Sequence, residues 1–261
     1  MDDRSPPRYF VRALARGLQV LEAFDAAHPS LSLTELATRL GMNKPTATRF
    51  LRTLSDLGYL EPLQGKRYRL GTRALDLGHR YLASLDLANL AQPFMQQAVQ
   101  RTGEAVNLAV RDGSEVVYIA RIAAAPRILT VNLQVGSRLP AHATSLGKAL
   151  LMDTAPERLT DVLGPAPWPR YTRATLCEPA SLAEDLAQAR ARGFAIADGD
   201  LEPGLRSVAA PVRDLFGTIV AAMNVSTHTA RVPRKEVVGR FADALLAATV
   251  GLGRALGHRS P

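Results

Sequence analysis

The spacing of hydrophobic residues predicts three helices and a hairpin in the first third of the chain. Apolar residues recur at helical intervals over 12–26 and, in a shorter helix, over 33–40. Gly41 supplies a turn, and a third helix opens around Pro45, because proline is tolerated in a first helical turn. Two short strands then flank the basic turn 64–67. This order predicts a winged helix-turn-helix, a fold that lays one helix in the major groove of DNA.

The third predicted helix has an apolar face and a polar face. The apolar positions of the first and third helices are expected to face a core, and they are Leu14, Leu18, Val20, Leu21, Phe24, Ala47, Phe50, Leu51, Leu54 and Leu57. The opposite face of the third helix carries threonine and arginine, which suit base edges and phosphates. The residues expected to contact DNA, including the tip of the basic turn, are Lys44, Thr46, Thr48, Arg49, Arg52, Lys66 and Arg67.

A different pattern begins after the hairpin. Residues 72–87 predict a linking helix, and from residue 88 onward helices bracket a set of strands, two of them joined by the turn signal Asp112-Gly113. The predicted elements are helices over 88–102, 180–192 and 234–256, a helix entered at Thr144 or Ser145, and strands over 106–110, 116–122, 128–135, 207–213 and 218–226. The sequence therefore predicts an α+β protein with domains 1–71, 72–87 and 88–261.

The net charge of the 261-residue chain is +8, and its basic excess is densest near the third predicted helix. Residues 44–73 hold seven basic side chains against two acidic ones, which favours a polyanionic partner. The single cysteine, Cys177, excludes an internal disulfide framework and suits a reducing cytoplasm. The first residues lack the apolar run of a signal peptide, and no apolar stretch approaches the length of a membrane span. We therefore expect a cytoplasmic protein with no membrane partner.

Several segments, taken together and in order, resemble the IclR family of bacterial transcription regulators. They are RALARGLQVLEAF, LTELATRLGMNKPTATRFLRTLSDLGYLE, YRLGTRALDLG, RLPAHATSLGKALL, ADGDLEPGLRSVAAPV and AAMNVSTH. The combination of GLRSVAAPV and MNVSTH is most similar to the branch that regulates protocatechuate, 4-hydroxybenzoate and β-ketoadipate catabolism. The resemblance implies a winged helix domain, a linker helix and a GAF-like effector-binding domain. It also implies a homodimer or dimer of dimers, a palindromic operator in double-stranded DNA, and a small organic acid as effector, without a cofactor.

The resemblance further implies that the effector lies near the loop entering the helix after the PAHATS segment. The positions that it carries over are Ile128, Val131, Leu139, Ser145, Leu146, Asp198, Ser207, Asn224 and Ser226, and His142 and Thr144 of the same loop complete the expected effector-binding set. Many relatives have cysteine at the position of Ser207 and serine at that of Asn224. The pocket is therefore expected to differ from that of the glyoxylate- and pyruvate-sensing members.

The chemistry of these residues suits an organic acid. Thr144, Ser145 and Leu146 lie at a predicted helix N-terminus, where free backbone amides and the helix dipole favour an anion without an arginine. Asn224 and Ser226 are two residues apart, so both project from one face of a strand. The alternative is that Thr144 or Ser145 only caps the helix and that the two strand residues are surface polar groups.

The remaining polar residues do not form a reaction centre in the sequence. His142 has no partners at metal-ligand spacing, so no metal site is expected. Asp198, Asp200 and Glu202 alternate along a segment that is interpreted as a solvated loop, with Asp198 alone accepting a ligand hydroxyl. Neither a nucleophile elbow nor a phosphate-binding loop is present, so no catalytic residue is expected.

These observations predict a ligand-responsive transcription regulator, and two other classes stay open. An enzyme of small acids with a DNA-binding appendage would require a nucleophile and a base, which the sequence does not clearly offer. A constitutive DNA-binding protein, whose second domain only oligomerises, would require a pocket filled with apolar side chains. The polar residues Ser207, Asn224 and Ser226 argue against that filling.

Overall fold

The computed structural model describes residues 7, 9–25, 27–77, 87–124 and 134–258. The chain divides into two compact units, Met1–Ser84 and Leu85–Pro261, each with its own hydrophobic cluster. Residues 73–77 are helical, but the rest of the predicted linking helix lies almost entirely outside the described residues. Most of the strand predicted over 128–135 lies outside them as well.

In its described part, the first unit combines three helices and the helical residues 73–77 with a small antiparallel sheet whose strand order is β1-β3-β2. A 3-10 turn joins the two longer strands and forms the tip of the wing. The elements are α1 (Arg12–Glu22), β1 (Leu31–Ser32), α2 (Leu33–Arg39), α3 (Lys44–Asp56), β2 (Leu60–Leu63), the turn Gln64–Lys66 and β3 (Arg67–Leu70). The predicted winged helix-turn-helix is confirmed.

Side-chain caps fix where the second and third helices begin. Ser32 and Glu35 form a capping box on α2, in which the Glu35 amide donates to the Ser32 hydroxyl at 3.3 Å and the Ser32 amide donates to the Glu35 carboxylate at 2.7 Å. On α3, the Asn43 side-chain oxygen accepts a hydrogen bond from the Thr46 amide at 2.9 Å. Gly41, at a φ of +60°, makes the turn between the two helices in a conformation that glycine adopts without strain.

The core of the first unit is narrower than the apolar pattern predicts. Val20, Leu36, Ala47, Leu51 and Leu60 are each at most 1% exposed. The prediction is wrong for Leu14, Leu18 and Leu57, whose exposed fractions are 64%, 47% and 47%. The stripe of α1 therefore reaches the core only in its C-terminal half, where Val20 lies.

The second unit is a six-stranded antiparallel sheet with helices packed on it, in the strand order β6-β5-β4-β9-β8-β7. The predicted α+β class is confirmed. The strands are β4 (Val106–Asp112), β5 (Glu115–Ile122), β6 (Arg138–Pro140), β7 (Ala195–Asp198), β8 (Leu205–Arg213) and β9 (Ile219–His228). The helices are α4 (Leu87–Thr102), α5 (Ser145–Leu151), α6 (Leu159–Leu163), α7 (Pro179–Arg192), α8 (Arg234–Glu236) and α9 (Ala242–Ala255). A π-helical turn, Val237–Phe241, joins α8 to α9, so the helix predicted over 234–256 is not regular throughout.

The short helix α5 packs against one face of the sheet. Ala109, Ala209 and Ala222 on this face belong to one buried cluster with Leu146 of α5. Gly147 is required in α5, because a Cβ atom there would lie 2.0 Å from the Ala141 carbonyl oxygen. We call the side of the sheet that carries Ala109, Ala209 and Ala222 the α5 face.

The second face of the sheet is covered as well. Val208 and Val225, which neighbour α5-face positions and so point the other way, are fully buried. Helices α4 and α9 contact each other and contact β4 and β8. Within the described part of the chain, no helix is long and apolar enough to cross a membrane.

Candidate functional site

The exposed side of α3 carries basic side chains that have no internal partner. Lys44, Arg49 and Arg52 are exposed, and none of them forms an ion pair or a side-chain hydrogen bond with any described residue. Asn43 holds the first turn of the helix in place, and Thr46, in that turn, is half-buried. This surface offers cations and hydrogen-bond donors on a rigid helix, as phosphate and base contacts require.

Two of the residues predicted to contact DNA are instead held by the protein itself. Arg67 donates to the Ser30 hydroxyl at 3.0 Å and to the Ser30 carbonyl oxygen at 2.6 Å, and it forms an ion pair with Glu35 at 3.2 Å. Thr48 donates its hydroxyl hydrogen to the Lys44 carbonyl oxygen at 2.8 Å. Arg67 therefore ties β3 to the segment before β1 and to α2, and its predicted contact with DNA stays a prediction.

The wing tip itself keeps one lysine exposed. Lys66 has a φ of +59°, and it follows Gly65 at a φ of +76° in the turn between β2 and β3. The neighbouring Arg69 is paired with Glu61 at 2.8 Å across the two strands. Lys66 is therefore a wing cation without an ion-pair partner among the described residues, available to a phosphate.

In the second unit, the α5 face brings together five of the residues predicted to bind an effector. Strand register places Ser207 opposite Ser226, and Asn224 opposite Ala209 of the α5 face. Leu139 of β6 lies opposite Val116, which belongs to the same buried cluster as Leu146. The residues brought to this face are Leu139, Leu146, Ser207, Asn224 and Ser226. The predicted residues Ile128 and Val131 lie outside the described residues.

A row of hydrogen bonds crosses the sheet on the α5 face. The Arg121 guanidinium donates to Asn107 Oδ1 at 3.0 Å, Asn107 Nδ2 donates to Asn224 Oδ1 at 2.8 Å, and Asn224 Nδ2 donates to Ser226 Oγ at 3.1 Å. The register supports this row, because Asn107 lies opposite both Arg121 and Asn224. We call these four residues the polar row. Sequence reasoning found Asn224 and Ser226 but missed Asn107 and Arg121.

The orientation of each amide in the polar row follows from its first member. An arginine side chain can only donate, so Asn107 must turn its oxygen toward Arg121 and its nitrogen toward Asn224. Asn224 must then turn its nitrogen toward Ser226. Among the described residues, the row therefore has unused donors at both ends, namely the remaining guanidinium hydrogens of Arg121 and the hydroxyl hydrogen of Ser226.

The loop entering α5 supplies one further polar group. Ser145 is fully buried, and its hydroxyl has no hydrogen-bond partner within the described part of the chain. Thr144, by contrast, caps α5: it accepts a hydrogen bond from the Gly147 amide at 3.1 Å and donates to the Pro140 carbonyl oxygen at 3.0 Å. The capping alternative therefore describes Thr144, while Ser145 keeps a buried hydroxyl that a ligand could satisfy.

Tyr118 contributes an aromatic side chain to the same face. It is 3% exposed and belongs to the buried cluster that includes Leu146 and Ala109. Burial raises the pKa of the Tyr118 hydroxyl to about 12, and the positive charge of Arg121 acts against this shift. The phenol therefore stays protonated at neutral pH and can donate a hydrogen bond.

His142 is held by the loop after α6. One ring nitrogen, Nε2, lies 2.9 Å from the Pro169 carbonyl oxygen, and the ring lies 5.8 Å from that of Trp168 and 5.9 Å from that of Tyr171. Burial lowers the pKa of His142 and so favours a neutral ring. The hydrogen bond to the Pro169 carbonyl acts in the opposite direction. His142 thus anchors the loop with at least one ring nitrogen already engaged.

Asp198 does not belong with the other predicted residues. It lies opposite Arg206 on β8, whereas Ser207 lies opposite Ala197, so Asp198 points away from the α5 face. Its carboxylate pairs with Arg206 at 2.9 Å and lies 3.8 Å from Arg234. The prediction that Asp198 accepts a ligand hydroxyl beside Ser207 is therefore corrected by the strand register.

Asp200 is buried, so the interpretation of its segment as a solvated loop is wrong at this position. Its carboxylate accepts hydrogen bonds from Lys148 Nζ and from the Asp198 amide, both at 2.6 Å. Lys148, 2% exposed, also lies 2.9 Å from the Asp185 carboxylate of α7. This buried lysine links α5, α7 and the turn after β7. Among the described residues, no group of three or more His, Cys, Asp or Glu side chains could hold a metal ion.

A winged helix with free cations on its third helix, in one chain with a sheet domain that carries buried polar groups, defines a DNA-binding protein with a sensor-type domain. Two family models match the chain: the IclR helix-turn-helix domain at residues 13–63 and the bacterial transcriptional regulator IclR C-terminal domain at residues 79–252. The chain belongs to the IclR family.

Individual relatives agree with this assignment. The Pca regulon regulatory protein of Pseudomonas putida is 41% identical over 240 residues, covering 92% of this chain and 82% of that protein. The crystal structure of an IclR homologue from Microbacterium hydrocarbonoxydans, complexed with 4-hydroxybenzoate, has a TM-score of 0.80 and 30% identity, covering 94% of this chain and 98% of that chain. An IclR transcriptional regulator from Alicyclobacillus acidocaldarius has a TM-score of 0.82 and 26% identity, covering 95% of this chain and 100% of that chain.

The relatives also bear on one of the two classes that the sequence left open, the enzyme. They are named as transcription regulators or repressors, so this chain is a transcription regulator and not an enzyme. The similarity to the Pca regulator matches the branch that the GLRSVAAPV and MNVSTH segments resemble.

Proposed function

We propose that the protein is a cytoplasmic regulator of an aromatic-catabolism operon, and that its effector is a small aromatic or dicarboxylic acid bound on the α5 face. The observation that carries this proposal is the polar row, which lies among buried apolar side chains on one side of the sheet. Buried polar groups are costly unless they are satisfied or used. The Pca regulator and the relative complexed with 4-hydroxybenzoate support the choice of acid.

The chemistry of the α5 face suits a hydroxylated aromatic acid. Leu139, Leu146 and Tyr118 offer apolar and aromatic surface for a ring. The hydroxyls of Ser145 and Tyr118 offer hydrogen bonds to a ring substituent, and the donors at the ends of the polar row suit an anionic group. A few polar groups in a largely apolar site are typical of sites for small ligands.

We further propose that the protein acts as a homodimer or a dimer of dimers on a palindromic operator. Each α3 then reads one half-site, so the separation of the two copies sets the half-site spacing. The effector shifts the population between arrangements of the copies because it binds one arrangement more tightly. DNA binding and effector binding are thereby coupled in one protein.

Thermal unfolding of the full chain tests effector binding directly. We expect at least one of protocatechuate, 4-hydroxybenzoate and β-ketoadipate to stabilise the protein, by about 2.7 kcal/mol at a concentration of 100 times its dissociation constant. Asn224→Ala should reduce the ligand-dependent shift, whereas Asp198→Ala should keep it, because Asp198 points away from the α5 face. Absence of a shift with all three acids would contradict the proposed effector class and favour the constitutive alternative.

A further inference from the structure

One arginine on the α5 face lacks a carboxylate partner among the described residues, unlike several other arginines of the second unit. Arg206 pairs with Asp198, Arg213 with Asp153 and Arg231 with Glu104. Arg121, also partly buried, forms no ion pair with any residue that the structure describes. Its guanidinium is therefore a cation without a carboxylate partner among the described residues.

The polar row holds this arginine in a fixed orientation. One guanidinium hydrogen is used by Asn107, and guanidinium carries five in a planar fork, so donors remain for a second partner. Asn107 is 2% exposed and Asn224 is 3% exposed, so the amides that hold Arg121 are themselves fixed by burial. A half-buried guanidinium with free donors and no counter-ion is a strong site for a carboxylate.

From this geometry we infer that Arg121 binds the carboxylate of the effector and that Asn107 and Asn224 are positioning residues for it. The inference rests on the proposed effector site and specifies how that site recognises an acid. It differs from the expectation that an anion sits at the start of α5 without an arginine. That helix has only seven residues, and Thr144 already satisfies one of its first amides.

The inference predicts a loss of discrimination between an acid and its neutral isostere. We would measure binding of 4-hydroxybenzoate and of 4-hydroxybenzamide to the full chain by calorimetry at neutral pH. The unmodified protein should prefer the acid, and Arg121→Gln should weaken acid binding by about 10-fold to 100-fold while changing amide binding little. Glutamine retains a donor for Asn107 but removes the charge. Asn107→Ala should also weaken acid binding, because it removes the acceptor that orients Arg121.

Arg138→Gln is the matched control for the loss of charge. Arg138 lies on β6 and is exposed, where it pairs with Glu115 and Asp112. Arg138 lies opposite Val117 of β5. Because Val117 directly follows the α5-face residue Val116 in its strand, Val117 and Arg138 both point to the other face of the sheet. This variant should keep the preference for the acid. If Arg121→Gln does not fold, Arg121→Lys replaces it, and this variant should bind the acid about 10-fold more weakly because it lacks the fork.

The outcomes separate this inference from the proposed function. If 4-hydroxybenzoate binds the unmodified protein and the Arg121 variants equally well, the inference is overturned and the effector site stands. If only β-ketoadipate binds, and Arg121→Gln abolishes that binding, the inference stands and the aromatic effector does not. If none of these carboxylates binds the unmodified protein, both fail.

Discussion

Single arginines illustrate how much function depends on whether a side chain already has a partner. Arg49 and Arg67 both lie in the basic segment of the first unit, and the sequence alone assigns both to DNA. In the structure Arg49 is exposed and has no side-chain partner among the described residues, whereas Arg67 is bound to Ser30 and Glu35. Their substitution should therefore affect different properties of the protein.

We expect Arg49→Ala to weaken specific DNA binding by about 1–3 kcal/mol if the side chain reads a base, with little change in thermal stability. If Arg49 contacts only phosphate, discrimination between DNA sequences stays unchanged and the slope of log affinity against log salt falls by about 0.9. Arg67→Ala should instead lower thermal stability. Fluorescence anisotropy on matched and scrambled DNA, with melting curves, distinguishes these effects. Equal DNA-binding defects at equal stability would contradict the assignment of Arg67 to the fold.

At the scale of elements, the proposed effector site depends on a strand irregularity that the pattern of residues does not reveal. The turn at Gly113 fixes the register of β4 and β5, and continued without interruption this register would place Asn107 opposite Ala120. A bulge between Leu108 and Ala109 shifts the pairing by one residue, so Asn107 lies opposite Arg121 instead. A shift of one residue moves a side chain to the other face of a sheet.

The sequence could therefore predict only part of the site. Asn224 and Ser226 were accessible to prediction because a single strand with a period of two carries both. Arg121 and Asn107 were not, because their contact depends on the bulge and on the pairing of β4 with β9. The wrong prediction for Asp198 has the same cause, because the register of β7 with β8 decides which face of the sheet its side chain points to.

Lys148 should be the main electrostatic anchor of helix α5. We expect Lys148→Met to reduce the free energy of unfolding of the second unit by about 3–5 kcal/mol, because it leaves the buried carboxylate of Asp200 without its partner. The control is Arg158→Met, whose exposed pairing with Asp161 at 3.9 Å should contribute less than about 1 kcal/mol. Denaturant unfolding measures both, and similar small losses in the two variants would show that the Lys148 cluster is not an anchor.

At the scale of the whole molecule, the family and the fold class could be predicted from the sequence, because they depend on ordered segments spread over nearly the full chain. Surface and core were harder to assign: Leu14 and Leu18 fit the helical pattern of α1 yet lie exposed. Helical spacing specifies which side chains share a face, but not how much of that face another element covers.

In the regulator that we propose, DNA binding and acid binding are coupled. The most direct test is anisotropy or mobility shift of the full chain on the DNA upstream of its own gene, at fixed salt, with and without each of the three acids. We predict specific binding whose affinity changes by about 5-fold to 150-fold with at least one acid, the usual range for coupling between two sites. Specific binding that stays unchanged with an acid known to stabilise the protein would contradict the claim.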